Sequence, residues 1–241
     1  MKISDKPLLR GTLIKRYKRF LTDVTLDTGE TVTATCPNTG SMMGLLEPGN
    51  PVWLSVSDSP TRKYKHTWEM VEAINAAGEK ARVGLNTGLP NKLVEEAITA
   101  GRIPVLSGYD TLKREQKYGK NSRIDILLSD ETKPSCYVEV KNVTLSRSAG
   151  MAEFPDAVTS RGAKHLDELA DMVRDGHRAI MVYLIQRSDA KSFSLARDID
   201  PVYFETWNKA TTSGVESIAM ACTMGDDAIS CDTAIEIEGV S

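Results

Sequence analysis

The strongest constraint on the fold is an uninterrupted apolar run late in the chain. Residues 179–185 read A-I-M-V-Y-L-I, which is far shorter than the roughly 20 apolar residues that span a bilayer. A strand whose residues do not alternate between apolar and polar is buried on both faces, so it lies inside a sheet that is covered on both sides. The run therefore predicts the central strand of an α/β domain.

The segments around this run show helical and strand patterns. Residues 161–174 repeat apolar side chains at helical spacing, and residues 91–100 predict a shorter helix that ends at Gly101. Residues 124–129 and 136–143 predict two strands. Helices that alternate with strands indicate an α/β (α+β) domain with a mixed sheet and flanking helices.

The first third of the chain has a different pattern. Residues 21–26 and 31–35 alternate apolar and polar side chains around the turn D-T-G-E, and residues 52–57 and 67–73 predict further strands. Short strands with glycine-rich turns favour a small closed β-barrel. We predict a boundary near residue 83, with a barrel over 1–83 and the second domain over 84–241.

The charge distribution does not exclude a nucleic-acid partner. The net charge is −3, but residues 1–83 carry +3 and residues 219–241 carry −5. The mildly basic front of the chain is compatible with phosphate contacts, and the acidic end from Gly225 is expected to be poorly ordered.

The cysteine pattern and the first residues predict a cytoplasmic protein with no membrane partner. The four cysteines are scattered and form no C-x-x-C pair, which argues against a zinc site and a disulfide framework. The first residues have no apolar core of a signal peptide.

Three ionisable side chains are predicted to meet on neighbouring strands. Side chains two residues apart on a strand share a face, so Arg123 and Asp125 point one way, and Glu139 and Lys141 also share a face. The short connection favours an antiparallel hairpin. Asp125 is then opposite Glu139 or, in the alternative register, opposite Lys141.

Two neighbouring carboxylates repel each other unless a cation lies between them. Hard oxygen ligands select Mg²⁺ or Mn²⁺, so Asp125 and Glu139 are candidate metal ligands. Lys141 is a candidate for orienting an attacking water or stabilising negative charge in phosphodiester hydrolysis. The alternative is a surface strand with a salt-bridged Glu139–Lys141 pair, and the residue pattern leaves both open.

Two basic segments with interleaved aromatic residues in the predicted barrel are typical of a single-strand-binding surface. A solvated strand face is the alternative. Beside the predicted carboxylate site, Arg123, Lys164 and His165 are further candidates for DNA contacts, and His165 is equally expected as a partly buried structural histidine. The candidate cations of the barrel are Arg10, Lys15, Arg16, Lys18, Arg19, Arg62, Lys63 and Lys65.

Five separated motifs resemble the sugar fermentation stimulation protein family, over nearly the whole chain. The resemblance implies an N-terminal OB-fold barrel, a C-terminal domain like the PD-(D/E)XK nucleases, DNA binding with little sequence specificity, and a link to regulation of sugar (maltose) metabolism in bacteria. The motifs are C-P-N-T-G-S-M (36–42), S-R-I-D (122–125), V-E-V-K (138–141), F-P-D-A-V-T-S-R-G-A-K-H-L-D-E-L (154–169) and Y-L-I-Q-R (183–187).

The resemblance also assigns nuclease-like positions, motif by motif. The leading Pro-Asp of the nuclease signature is absent, since Ile124 precedes Asp125. Glu115 is a candidate further acid, and Glu95 and Glu96 compete for that role. The residues assigned to the catalytic site are the acids Asp125 and Glu139, Lys141, Glu115, and Gln186 as a late polar residue.

Two functions follow as hypotheses. The first is a Mg²⁺-dependent (or Mn²⁺-dependent) nuclease that acts on DNA, with the barrel delivering the strand. The second is a non-enzymatic DNA-binding regulatory protein that retains the nuclease fold. An RNA substrate is a weaker third hypothesis, and self-association into a homo-oligomer is left open.

Overall fold

A computed structural model describes residues 1–119 and 122–239 of the chain. Its strands form two sheets, and the first is a closed barrel. β3 pairs with β2 on one side and in parallel with β5 on the other, which joins the two ends of the strand order β3-β2-β1-β4-β5. The strands of this sheet are β1 (Leu9–Tyr17), β2 (Leu21–Leu26), β3 (Thr31–Thr35), β4 (Pro51–Val56), β5 (His66–Ile74) and β6 (Lys80–Gly84).

The second sheet is mixed and follows the strand order β10-β11-β13-β15-β14-β12-β9-β8-β7. Among the described residues, no helix is long and apolar enough to cross a membrane. The elements of this part are α1 (Pro90–Thr99), β7 (Thr111–Tyr118), β8 (Ser122–Ser129), β9 (Cys136–Val143), β10 (Leu145–Ser148), β11 (Met151–Phe154), α2 (Ser160–Arg174), β12 (Arg178–Ile185), β13 (Ser192–Leu195), α3 (Pro201–Thr212), β14 (Glu216–Met224) and β15 (Ile229–Ile237).

β12 is the buried strand that the apolar run predicted. It lies between β9 and β14 and is parallel to both. One face packs against α2 and α3, while the other packs against α1. The predicted fold class, a small barrel followed by a mixed α/β sheet with flanking helices, is confirmed.

The described part of the acidic end, residues 225–239, belongs to the second sheet, contrary to the expectation from its charge. β15 pairs with β14 in an antiparallel hairpin, and Ile229 and Cys231 are buried in the core. The acids lie on the exposed side of this strand, where water solvates them, while the apolar residues between them pack inward. The alternation of apolar and polar side chains, rather than the net charge, makes this segment a strand.

The barrel and the second sheet share backbone hydrogen bonds. The segment that follows β12 runs beside β6: the Gly84 N–H donates to the Gln186 carbonyl at 2.9 Å, and the Ser188 N–H donates to the Arg82 carbonyl at 3.0 Å. The barrel residue Trp53 also belongs to the apolar core formed by α1 and the second sheet. These contacts hold the two parts in one arrangement.

Replacing Gly84 with alanine is expected to destabilise this junction. The added Cβ would lie 2.6 Å from Oε1 of the buried Gln186 and 3.2 Å from Cε of Met224, and overpacking of this kind costs about 1–3 kcal/mol. Urea unfolding measures the loss. Gly88→Ala is the matched control, because its Cβ would meet only Asn86 Oδ1, at 3.2 Å. Equal stability of the two variants would contradict the prediction.

Candidate active site

The predicted carboxylate site lies where β8 and β9 separate. The strands are antiparallel, and their paired residues end at Ile126 opposite Val138, in the register that sets Asp125 level with Glu139. Beyond that pair the Val140 N–H donates to Asp125 Oδ2, at 2.8 Å, instead of to a strand carbonyl. Asp125 is therefore held by the neighbouring strand through its side chain.

Asp125 has a second support from α1. Asn91, in the first turn of that helix, donates from Nδ2 to Asp125 Oδ1 at 2.8 Å. Burial and the nearby charge of Glu139 raise the pKa of Asp125 to about 6, although the bonds from Val140 and Asn91 oppose the shift. A carboxylate in this position gains strongly from a cation beside it.

Glu139 is almost fully buried, with 2% of its surface exposed. Burial raises the pKa of this carboxyl, but the hydrogen bond from His165 and the charge of Lys141 outweigh burial, and the pKa lies below its ordinary value. Lys141 Nζ lies 2.6 Å from Glu139 Oε1, and His165 Nδ1 contacts the same oxygen. Glu139 Oε2 is buried without a hydrogen-bond partner among the described residues.

His165 reaches Glu139 from α2. The helix begins after Thr159, whose hydroxyl accepts from the Gly162 N–H at 3.1 Å, and it places Arg161 and His165 one turn apart on one face. Arg161 Nε donates to His165 Nε2 at 3.3 Å. Since Nε2 accepts, Nδ1 carries the proton that bonds to Glu139, so Arg161 sets the tautomer that holds this carboxylate.

These groups form the floor of an open cleft of about 690 Å³. Four cations lie along it, which gives a cleft with an acidic floor and basic sides. This arrangement suits a phosphate chain that approaches two carboxylates through a bridging cation. The lining residues are Thr87, Pro90, Asn91, Glu115, Ser122, Arg123, Asp125, Glu139, Val140, Lys141, Asn142, Arg161, Lys164 and His165.

Glu115 lies on β7 beside the acids of β8 and β9. Arg114 pairs with Ile126 and Gln116 with Ile124 in one continuous register, which sets Glu115 level with Asp125. Glu115 has a positive φ of 54°, and its exposed side chain lines the cleft.

The competing acids and Gln186 lie outside the cleft lining. Glu95 pairs with Arg114, at 3.2 Å, and Glu96 pairs with Arg102, at 2.8 Å. Gln186 is fully buried between the domains, and its Nε2 donates to Asn142 Oδ1 at 2.7 Å. Gln186 therefore touches the cleft only through Asn142, because β12 ends one strand away from the acids.

The barrel cations divide into those that bind backbone groups and those that face solvent. The Arg16 guanidinium donates to the carbonyls of Asn38 and Gly40, and that of Arg19 donates to Thr39. Arg62 donates to threonine hydroxyls and Lys65 donates to the Ser59 carbonyl, both within the barrel. Lys15 Nζ lies 3.9 Å from Asp23 Oδ2. Arg10 lies over the ring of Trp53, and Lys63 lies over the ring of Tyr64. Lys18 lies in the turn between β1 and β2.

Sequence reasoning missed several residues of the cleft. Arg161 was detectable, since it lies four residues before His165 on a predicted helix and must share its face. Asn91 and Asn142 had no comparable signal, because their contribution depends on α1 and on the end of β9 reaching the same cleft. Thr87 and Ser122 complete the polar lining from loop and strand ends.

A closed barrel joined to a mixed sheet that carries two acids and a lysine on adjacent strands defines a mixed α/β protein with an OB-like barrel and an acid-lined cleft on its second sheet. Family models agree with this architecture: the sugar fermentation stimulation protein RE domain matches residues 88–228, and the SfsA N-terminal OB domain matches residues 14–77. The chain belongs to the sugar fermentation stimulation protein family.

Relatives and a solved structure match the chain over nearly its whole length. Sugar fermentation stimulation protein homologs from Brucella ovis and Brucella melitensis are each 56% identical over 232 residues, which cover 96% of this chain and 95% of theirs. A structure described as Pyrococcus furiosus SfsA in complex with Ca²⁺ matches with a TM-score of 0.85 at 25% identity, covering 99% of each chain. The family resemblance predicted from the motifs is confirmed.

Proposed function

We propose that this protein is a divalent-metal-dependent phosphodiesterase, a nuclease that acts on DNA with little sequence specificity. The observation that carries the proposal is the convergence of Asp125, Glu139 and Lys141 on the floor of a cleft with basic sides. The alternative, a surface salt bridge between Glu139 and Lys141, does not account for the near-complete burial of Glu139. It also does not account for Arg161 and His165, which support Glu139 from α2.

The donor set fits a hard cation. Glu139 Oε2 is buried without a hydrogen-bond partner among the described residues, and burial together with the charge of Glu139 raises the pKa of Asp125 to about 6. No group of three or more His, Cys, Asp or Glu side chains among the described residues is placed to hold a metal ion, so the two carboxylates would leave most ligand positions of a Mg²⁺ or Mn²⁺ ion to other oxygen atoms. These ions take one or two carboxylates and complete their shell with water and phosphate oxygens. The relative described with Ca²⁺ supports a divalent cation.

Each residue has a task that follows from its position. Asp125 and Glu139 would hold a divalent cation, which when bound would supply a lowered pKa of water and charge neutralisation at the reacting phosphate. Lys141 would orient the attacking water or stabilise negative charge on the phosphoryl oxygens. Glu115 adds an acid at the cleft wall, and Gln186 acts through Asn142 as a positioning residue.

The basic side chains are proposed to bind the DNA backbone. Arg123, Lys164 and the newly found Arg161 line the cleft, and contacts to phosphates set position without reading sequence. The barrel, proposed as a domain over 1–83, delivers the strand to the catalytic domain over 84–241. Lys18 is its most direct phosphate contact, and Arg10, Lys15 and Lys63 add positive charge.

The relatives' name links the family to sugar fermentation, and a regulatory DNA-binding role in sugar metabolism is the corresponding alternative. A cleavage assay separates it from a nuclease. Circular and linear DNA, single-stranded and double-stranded, are incubated with Mg²⁺ or Mn²⁺ and with EDTA. Metal-dependent cutting supports the proposal. A gel shift without cutting in any metal would refute the nuclease and favour the regulatory role, and cutting of RNA alone would change the substrate.

Metal binding is expected to weaken as the pH falls through about 6. Burial raises the pKa of Asp125 to about 6, so below that pH a proton competes with the cation, and affinity falls by about tenfold per pH unit. The measurement is the rise in melting temperature on adding Ca²⁺ between pH 7.5 and 5, with Na⁺ of equal ionic strength as the control. A Ca²⁺ effect that stays constant over this range would contradict the assignment.

A further inference from the structure

Three exposed apolar side chains lie on segments that meet where the barrel contacts the second domain. Phe20 is the last residue of the turn between β1 and β2, Met43 lies in the loop after β3, and Val158 lies just before α2. Their exposed fractions are 51%, 46% and 75%. A single exposed apolar residue is ordinary, but a group of them marks a surface that binds something. We call these three residues the apolar rim.

Hydrogen bonds join the segments of the apolar rim. The Arg19 guanidinium donates to the Thr39 carbonyl at 2.8 Å, which ties the turn after β1 to the loop after β3. The Met42 N–H donates to Asp156 Oδ2 at 3.2 Å, which ties that loop to the segment before α2. The rim is therefore built from both domains in one fixed arrangement.

The apolar rim adjoins the cleft. A small cavity between Asn38, Gly40 and Asp156 shares Thr87 and Asn142 with the cleft lining. On the other side, α2 begins just after Val158, and its first turn brings Arg161 into the cleft. The segments that carry the apolar rim therefore border this side of the cleft.

The turn that carries Phe20 is held in a strained shape. Lys18 and Arg19 have φ values of 49° and 64°, in the left-handed region that is costly for a residue with a side chain. The Arg16 guanidinium offsets this cost by donating to the Arg19 carbonyl at 2.7 Å. Strain that the surroundings maintain is a mark of a functional segment, and here it presents Phe20 and Lys18 together in a fixed orientation.

We propose that the cleft takes DNA whose nucleotides are unpaired beside the scissile phosphate, and that the apolar rim stacks against their bases. This inference rests on the DNA substrate of the proposed function. A duplex keeps the faces of its bases stacked inside the helix, while unpaired bases offer flat apolar faces beside a charged backbone. Phe20 next to Lys18, and Val158 next to Arg161, match that combination of apolar surface and charge.

The test is binding in EDTA, measured by fluorescence anisotropy with three oligonucleotides that share one sequence: a single strand, a fork with unpaired arms and a blunt duplex. The wild type is expected to bind the fork and the single strand about tenfold more tightly than the duplex. Phe20→Ala and Val158→Ala should each reduce that preference by roughly fivefold or more, because stacking supplies it. The preference of Phe20→Leu for unpaired DNA should lie between those of the wild type and Phe20→Ala, because leucine keeps apolar area but has no ring.

Val202→Ala is the matched control, because Val202 is 64% exposed on α3 and does not line the cleft. It should bind all three probes like the wild type. A 2-aminopurine base in the unpaired arm should be quenched by the wild type and brighter with Phe20→Ala. Equal wild-type affinity for fork and duplex would overturn the inference, as would an equal loss on every probe in the rim variants.

This test is separable from the nuclease proposal because EDTA excludes cleavage. A rim-dependent preference for the fork without cutting in any metal would sustain the apolar rim and refute the nuclease. If metal-dependent cutting of duplex DNA were unchanged in Phe20→Ala and Val158→Ala, the nuclease would be sustained and the role of the apolar rim refuted. Absence of binding to all three probes would overturn both.

Discussion

Replacing Asp125 with asparagine is expected to abolish DNA cleavage, with a loss of about a thousandfold or more. Asparagine keeps the shape of the side chain but removes one of the two charges proposed to hold the cation, and such an ion would supply several kcal/mol of transition-state stabilisation. The assay is metal-dependent conversion of supercoiled DNA at saturating DNA. Binding to the DNA backbone should survive, because the basic sides of the cleft are unchanged.

The same substitution is expected to stabilise the apo protein at pH 7.5. The pKa of Asp125 is raised from 3.8 to about 6, so the native protein holds this proton more tightly than the unfolded chain does. Ionising Asp125 therefore costs up to about 3 kcal/mol of stability above pH 6. Asparagine removes that cost but weakens one of the bonds from Val140 or Asn91, so the expected gain is about 1–2 kcal/mol.

The pH dependence identifies the cause of this gain. An acid with a raised pKa loses stability as pH rises from about 4 to about 6, so the advantage of Asp125→Asn should shrink towards pH 4.5. Urea unfolding at both pH values measures it. Asp130→Asn is the matched control, because Asp130 lies on the same hairpin and bonds only to Thr132. A destabilised Asp125→Asn at pH 7.5 would show that charge repulsion does not dominate this site.

Lys141→Met is expected to lower the cleavage rate by about a hundredfold to a thousandfold while leaving metal binding in place. Methionine keeps most of the apolar stem but removes the ammonium group that bonds to Glu139 at 2.6 Å and faces the cleft. Loss of one positioned donor to a developing negative charge has an effect of this size. The rise in melting temperature with Ca²⁺ should remain, because Lys141 is not a metal ligand.

The control for Lys141→Met is the same change at Lys164. Lys164 lines the cleft, but its side chain is 53% exposed and 3.5 Å from Glu168. Lys164→Met should weaken DNA binding, which is measured as a higher KM, and should leave kcat little changed. If both variants changed KM alone, Lys141 would be a phosphate contact like its neighbour and would have no catalytic role.

Much of the fold was predictable because it depends on local pattern. The apolar run at 179–185 became β12, the alternating segments of the first third became β2 to β5, and the helical stripe at 161–174 became α2. β7 was missed because it is a charged edge strand, and β15 because its acids suggested disorder. In both cases the signal was weak, because exposed strand positions tolerate charge and pairing with a neighbouring strand decides their structure.

The sequence by itself determined that two acids and a lysine share one side of a hairpin, because side-chain direction along a strand follows from its two-residue period. Only the tertiary structure decided that Glu139 is buried on the floor of an open cleft and is not part of a surface ion pair. The deciding contacts come from elements distant in sequence: Asn91 supports Asp125 from α1, and Arg161 orients His165 on Glu139 from α2. It also placed Arg16 and Arg19 on loop carbonyls and Gln186 behind Asn142. Long-range packing decides which partner a charged side chain contacts and how far that side chain is removed from water. A local sequence pattern does not contain this information.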